Sequence, residues 1–133
     1  MSRSSVSDRT TVIVLDDNAF VCRALKTQLE ILGFDVLIFH SAEAILAKGV
    51  PTRDACLLAD IYLPGMTGIE LDLHLKASGI RLPTILMTGR NDAETARLMR
   101  EAKPVASLFK PFEPIALERA LLKAVRRSAR QSK

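Results

Sequence analysis

The chain has 133 residues, 48% of them hydrophobic, which suits one domain with a filled core and excludes a chain disordered throughout. Its formal net charge of +4 is unevenly placed: residues 11–122 carry 12 Lys/Arg against 14 Asp/Glu, while residues 1–10 and 123–133 together carry 7 basic groups and 1 acidic group. No apolar stretch approaches the roughly 20 residues of a membrane span, and the opening MSRSSVSDRT lacks the apolar segment of a secretory signal, so no membrane partner is expected.

Five apolar runs alternate with five helical patterns. The first run is Thr11–Leu15. A helix over about Ala19–Leu32 follows, with Val21, Leu25, Leu29 and Leu32 as its buried stripe and Gly33 as its stop. The second run, Asp35–Phe39, precedes a helix that starts near a Ser41 cap and ends before Gly49-Val50-Pro51. The third run is Ala55–Ala59, and the helix after it opens on a capping box of Thr67 with Glu70 and closes at Gly79. The fourth run, Thr84–Met87, leads to a helix with a second box, Asn91 with Glu94. The fifth, Val105–Phe109, leads to a helix with Pro114 in its first turn and Leu117, Leu121, Ala124 and Val125 on one side. Runs that are continuously apolar suit strands covered on both faces. The alternation predicts an α/β fold: a five-stranded parallel sheet, doubly wound, with helices on both faces.

This reading makes residues 10–128 the domain, 1–9 a flexible N-terminus and 129–133 a basic tail. The acidic interior has no basic stripe interleaved with aromatics, so direct nucleic-acid binding is not expected of it. Cys22 and Cys56 fall in apolar contexts and read as small buried hydrophobes in a reducing, cytoplasmic setting.

In such sheets ligands bind beyond the carboxyl ends of the strands, where strand order reverses. Asp16-Asp17 ends the first run and Asp60 the third. If those strands are neighbours, three carboxylates converge, repel one another and invite a divalent cation. A lone Asp after a strand is ordinarily a cap or turn former. Here Thr88 and Lys110 end the fourth and fifth runs as well, and the set can hold a metal and a phosphoryl group together. Mg²⁺, with Mn²⁺ as the alternative, suits the oxygen donors. Asp17 and Asp60 can bind it directly, and Asp16 directly or through water. Asp60 is the best nucleophile, since carboxylates attack phosphorus to give an aspartyl-phosphate. Lys110 and the metal offset charge on the transferring oxygens, and Thr88 and backbone amides after Asp60 can donate to them. His40 and His74 read as surface or packing residues away from these ends.

The wording VIVLDDN (12–18), LLADIYLPGMTGIEL (57–71), ILMTGR (85–90) and FKPF (109–112) resembles the receiver domain of two-component response regulators, over about residues 9–128. The resemblance implies a flavodoxin-like strand order 2-1-3-4-5. It implies Asp60 as phosphoacceptor, Asp16 and Asp17 as the acidic metal pair, the backbone carbonyl of Tyr62 as a further ligand, Thr88 as the switch hydroxyl and Lys110 as the lysine. It also implies a cis peptide at Lys110-Pro111. The expected activity is Mg²⁺-dependent acceptance of a phosphoryl group from a histidine kinase or histidine phosphotransfer protein, with slow self-dephosphorylation, rather than turnover catalysis. The expected output is altered binding of a downstream protein partner.

The chain departs from the family pattern at Ser107, where an aromatic usually swings inward, and at Lys103-Pro104, where a Gly-Ala pair usually opens the fifth strand. Phe109, on the same side of that strand, is left to replace the lever or to pack. Tyr62 sets a bulky ring where it can hinder attacking water. Homodimerisation through helix four, strand five and helix five is a further expectation, with Leu98, Met99 and Leu122 as candidate apolar surface. A single-domain regulator is slightly favoured. Its alternatives are the receiver half of a DNA-binding transcription regulator and a phosphorylation-independent binding module. A metal-dependent hydrolase would need an acid, base or substrate pocket that the sequence does not offer.

Overall fold

Apolar runs too long for one-sided burial become parallel strands sandwiched between helices. The computed structural model describes residues 9–131, the last three by their backbone alone. In chain order the elements are β1 (Thr11–Leu15), α1 (Ala19–Ile31), β2 (Asp35–Phe39), α2 (Ala42–Lys48), β3 (Ala55–Asp60), α3 (Gly68–Ala77), β4 (Thr84–Thr88), α4 (Ala93–Ala102), β5 (Ala106–Phe109) and α5 (Pro114–Gln131). The sheet is parallel throughout in the order β2-β1-β3-β4-β5. This is the doubly wound sheet expected from the alternation, in the flavodoxin-like order that the resemblance implies.

Period-2 alternation along the strands separates two cores. Val12, Val14, Cys56, Leu58, Ile85 and Met87 pack against Leu25 and Leu29 of α1 and Leu117 and Leu121 of α5. Ile13, Leu15, Leu57, Ala59 and Leu86 pack against Ile45 of α2, Leu71 and Leu75 of α3 and Met99 of α4. Both cysteines are buried and free, and burial pushes the Cys56 thiol up to about 12.

Several local expectations shift. In α1 the third buried position is Cys22, while Val21 is half-buried and Leu32, now the C-cap, is exposed. The stop at Gly33 is a Schellman motif: with φ at 98°, its N–H donates to Glu30 O and the Phe34 N–H donates to Leu29 O. The Thr67–Glu70 box forms as read. The second box does not: α4 is capped by Asp92, whose carboxylate accepts the Thr95 N–H, rather than by Asn91 with Glu94. In α5, Ala120 joins Leu117, Leu121 and Ala124 in the core, and Val125 is half-buried.

At the ends, Arg9 is tied to Asp35 (3.1 Å), and α5 runs on through 129–131, part of the segment read as a tail. The rest of the two end segments, 1–8 and 132–133, lies outside the described residues. Among the described residues no helix is long and apolar enough to cross a membrane.

Candidate functional site

The strand order reverses at β1: the chain first steps out to β2 on one flank, then crosses back over β1 to β3 on the other. The crevice at this reversal opens between the carboxyl ends of β1 and β3. Register aligns Leu15 with Ala59, so Asp16 and Asp60 come out side by side. Asp60 and Thr88 are the last residues of their strands, each one place beyond the predicted end. Thr88 is aligned with Phe109, and the Lys110 N–H donates to Thr88 O at 2.7 Å, which brings Lys110 to the same rim. The Lys110-Pro111 peptide is cis, as the resemblance implied.

The lysine closes the cluster. Its Nζ lies 2.6 Å from Asp16 Oδ2 and 2.8 Å from Asp60 Oδ2. The second oxygen of each aspartate takes a backbone N–H: Asn18 N–H donates to Asp16 Oδ1 at 2.9 Å and Tyr62 N–H to Asp60 Oδ1 at 3.1 Å. Asp16 is buried at 1% exposure and Asp60 at 8%, whereas Asp17 is exposed. Burial raises the Asp60 carboxyl above its ordinary range, and the hydrogen bond and charge of Lys110 only partly oppose this. Burial alone pushes the Lys110 ammonium down, but its bonds to Asp16 and Asp60 outweigh that, and it is held above the usual lysine value.

One carboxylate oxygen from each of Asp16, Asp17 and Asp60 lies within 4.8 Å of the other two. Three carboxylates with one arm open to water form a donor set that can coordinate a hard divalent cation. Two recesses among the described residues lie elsewhere. One of about 270 Å³ is lined by Lys76, Arg81, Lys103 and Arg127, and one of about 530 Å³ by Thr52, Arg53, Arg81 and Ser128, at the amino ends of the strands. With Asp17 exposed, the acidic site is open to water at the rim of the sheet.

Gly68 sets the backbone of the acceptor loop. Its N–H donates to Ile61 O, and an added Cβ would stand 2.3 Å from the carbonyl oxygen of Asp60. Backbone cannot yield as a side chain tip can. Gly68→Ala is expected to cost about 1–3 kcal/mol, measured as a fall in the denaturant midpoint.

Of the predicted site residues, Asp16, Asp17, Asp60 and Lys110 are brought into one cluster, and Thr88 is fully buried on the adjoining strand end. The Tyr62 backbone is attached through its N–H; its ring is turned away toward α4, where the hydroxyl meets Thr95 Oγ1 at 2.6 Å and Arg90 lies 4.1 Å over the ring face. Ser107 and Phe109 share the exposed side of β5, and the Phe109 ring is 47% exposed, so it does not pack into the core. Met99 is core, whereas Leu122 is 49% exposed.

His40 corrects the sequence reading. It is exposed, but its Nδ1 is 3.1 Å from Asp16 O, where it must carry the proton and donate, and 3.8 Å from Cys22 Sγ. It therefore braces the first aspartate rather than lying away from the site. Asn18, which caps α1 through Phe20 and Val21 N–H, was also missed. Its place after Asp16-Asp17 and before a helix was the available signal.

A doubly wound parallel sheet with a cation-competent acidic cluster and a lysine at its reversal point defines an α/β domain built to handle a phosphoryl group. Residues 12–122 match the family described as response regulator receiver domain, and the chain belongs to that family. It is 35% identical over 122 residues to the transcriptional regulatory protein FixJ of Azorhizobium caulinodans, covering 92% of this chain and 58% of that protein. Among solved structures it is similar to the response regulator StyR (TM-score 0.83, 35% identity, 92% of this chain and 62% of that one). It is also similar to the isolated FixJ-N structure (TM-score 0.80, 34% identity, 88% and 94%). The chain thus spans a little over half the length of the full FixJ protein it matches. As a receiver domain it accepts a phosphoryl group at its aspartate cluster and mediates downstream signalling.

Proposed function

We propose that Asp60 is the phosphoacceptor, that Mg²⁺ is held by Asp16, Asp17, Asp60 and the carbonyl of Tyr62, and that the donor is a phosphohistidine of a histidine kinase or phosphotransfer protein. The observation that carries this is the position of Lys110, bonded at once to Asp16 and Asp60. An Asp60 oxygen attacks phosphorus as the phosphorus–nitrogen bond of the donor breaks, and the imidazole nitrogen takes up a proton as it leaves. Lys110 stays within reach of the transferring oxygens, and Thr88 donates its hydroxyl to one of them. A bound divalent cation supplies charge neutralisation for the same oxygens. Water later attacks phosphorus, releasing inorganic phosphate and restoring the carboxylate, so the signal is transient.

The new charge and acceptor oxygens favour one of two states of the domain, and a downstream protein partner distinguishes them. The exposed Phe109 and Leu122 give the α4–β5–α5 side apolar surface for such a partner or for a second copy. A second reading is favoured by the names of the relatives: FixJ is called a transcriptional regulatory protein, and this chain matches only part of it. On that reading the receiver controls a DNA-binding output half. Phosphorylation-independent binding is disfavoured because the acidic set and lysine are all in place.

The test is exposure of the chain to a small acyl phosphate, with intact-mass detection. One phosphoryl group is expected with Mg²⁺ present and none with excess chelator. Equal labelling in both conditions would remove the metal from the proposal.

A further inference from the structure

Ser107 leaves the receiver without a ring at the usual lever position of β5, yet the acceptor loop is physically joined to α4. Starting at the acceptor, Asp60 Oδ1 takes the Tyr62 N–H at 3.1 Å. The Tyr62 hydroxyl meets Thr95 Oγ1 at 2.6 Å, and the Thr95 hydroxyl bonds Asp92 Oδ1. A hydroxyl has one proton; Thr95 gives its own to the carboxylate, so Tyr62 is the donor to Thr95. The other oxygen of Asp92 takes Arg90 through Nε at 3.1 Å and through a terminal nitrogen at 2.6 Å. The Arg90 guanidinium covers the Tyr62 ring at 4.1 Å, and its backbone N–H donates to Thr88 Oγ1 at 3.1 Å.

The circuit therefore starts at the acceptor carboxylate, passes through the N-cap of α4 and ends at the Thr88 hydroxyl on the adjoining strand end. Thr95 is fully buried, so water cannot replace its partner if the circuit opens. Asp92 is bound by Thr95 and Arg90 together, which holds its carboxyl well below the usual range and keeps it charged as a cap.

We propose that Thr95, acting as a positioning residue through Tyr62 and Asp92, couples the state of Asp60 to the first turn of α4 in place of an aromatic at position 107. The proposal rests on Asp60 as acceptor and Thr88 as the hydroxyl that turns to the phosphoryl group. Phosphorylation alters both terminals of the circuit: Asp60 becomes an acyl phosphate, and Thr88 gives up the Arg90 N–H. Both changes loosen the cap, and α4 is where the domain reports them.

Amide hydrogen exchange of the α4 N-terminal peptide, read by mass spectrometry with and without a small acyl phosphate and Mg²⁺, tests this, with phosphoryl occupancy taken from intact mass. In the natural chain phosphorylation speeds exchange of the first turn several-fold. Thr95→Val exchanges that fast before any phosphoryl group is added, shows no further change afterwards, and labels to the same occupancy. Thr95→Ser, which keeps the hydroxyl, restores the natural response. If Thr95→Val does not fold, Arg90→Gln opens the same circuit from an exposed side chain and is read in the same way. A full phosphorylation-dependent change in a labelled Thr95→Val chain overturns the coupling, as does a labelled natural chain with no change at α4. A natural chain that gains no mass overturns the acceptor reading, and the coupling with it.

Discussion

An Asp60→Ala chain takes up no phosphoryl group from a small acyl phosphate in the presence of Mg²⁺, whereas the natural chain takes up one. The loss is expected to be complete because the remaining carboxylates are differently placed. Asp16 is more deeply buried, at 1% exposure against 8% for Asp60, and so less open to an incoming donor. Asp17 is exposed and lacks the lysine contact that offsets charge on the transferring oxygens. Intact mass reads the outcome directly, and a normally labelled Asp60→Ala chain would move the nucleophile elsewhere.

Lys110→Ala is expected to have the largest effect on stability. It removes the counter-charge of two buried carboxylates at once. Breaking a buried pair in this way ordinarily costs about 3–5 kcal/mol, and the low end, about 3 kcal/mol, applies because the lysine side chain is 23% exposed. That is roughly 10 °C in melting temperature for a domain of this size. The deficit is pH-dependent. Burial raises the folded pKa of Asp60, so its ionised form costs stability, and that cost is absent below the unfolded carboxylate value near about 4. It grows as pH rises through the raised folded value. Without Lys110 the opposing influence is gone, and the cost extends to higher pH. The gap between the two chains should therefore narrow as pH is lowered from neutral toward the unfolded value. Added Mg²⁺ should raise the melting temperature of the variant more than that of the natural chain, since a cation in the cluster becomes its main counter-charge. Thermal melts over a pH series with and without Mg²⁺ check both statements.

The strands were legible because each is a largely apolar run, several of them continuously so, and the site because its residues end those runs: a parallel sheet gathers strand ends at one rim whatever the intervening sequence. Asp16, Asp17, Asp60, Thr88 and Lys110 follow from that rule together with the family wording. The cap of α4 was misread because Asn91–Glu94 and Asp92–Thr95 are both acceptable spacings. The choice falls to Arg90 and Thr95, which clasp Asp92 from either side. The contact of His40 with Asp16 spans 24 positions and that of Tyr62 with Thr95 spans 33, so no local pattern announces either. Chemistry set by strand ends could be read from the chain, while bracing that depends on side chains meeting across loops could not.

The central claim is that the carboxylate of Asp60, beside Lys110 and within a cation-binding cluster, forms the bond to phosphorus. Borohydride reduction of the phosphorylated chain, followed by peptide mass spectrometry, converts the acyl-phosphate side chain to an alcohol and marks its position. The account predicts homoserine at position 60 alone, formed only when Mg²⁺ was present during labelling. Homoserine at 16 or 17, or labelling at 60 that persists in excess chelator, would contradict it.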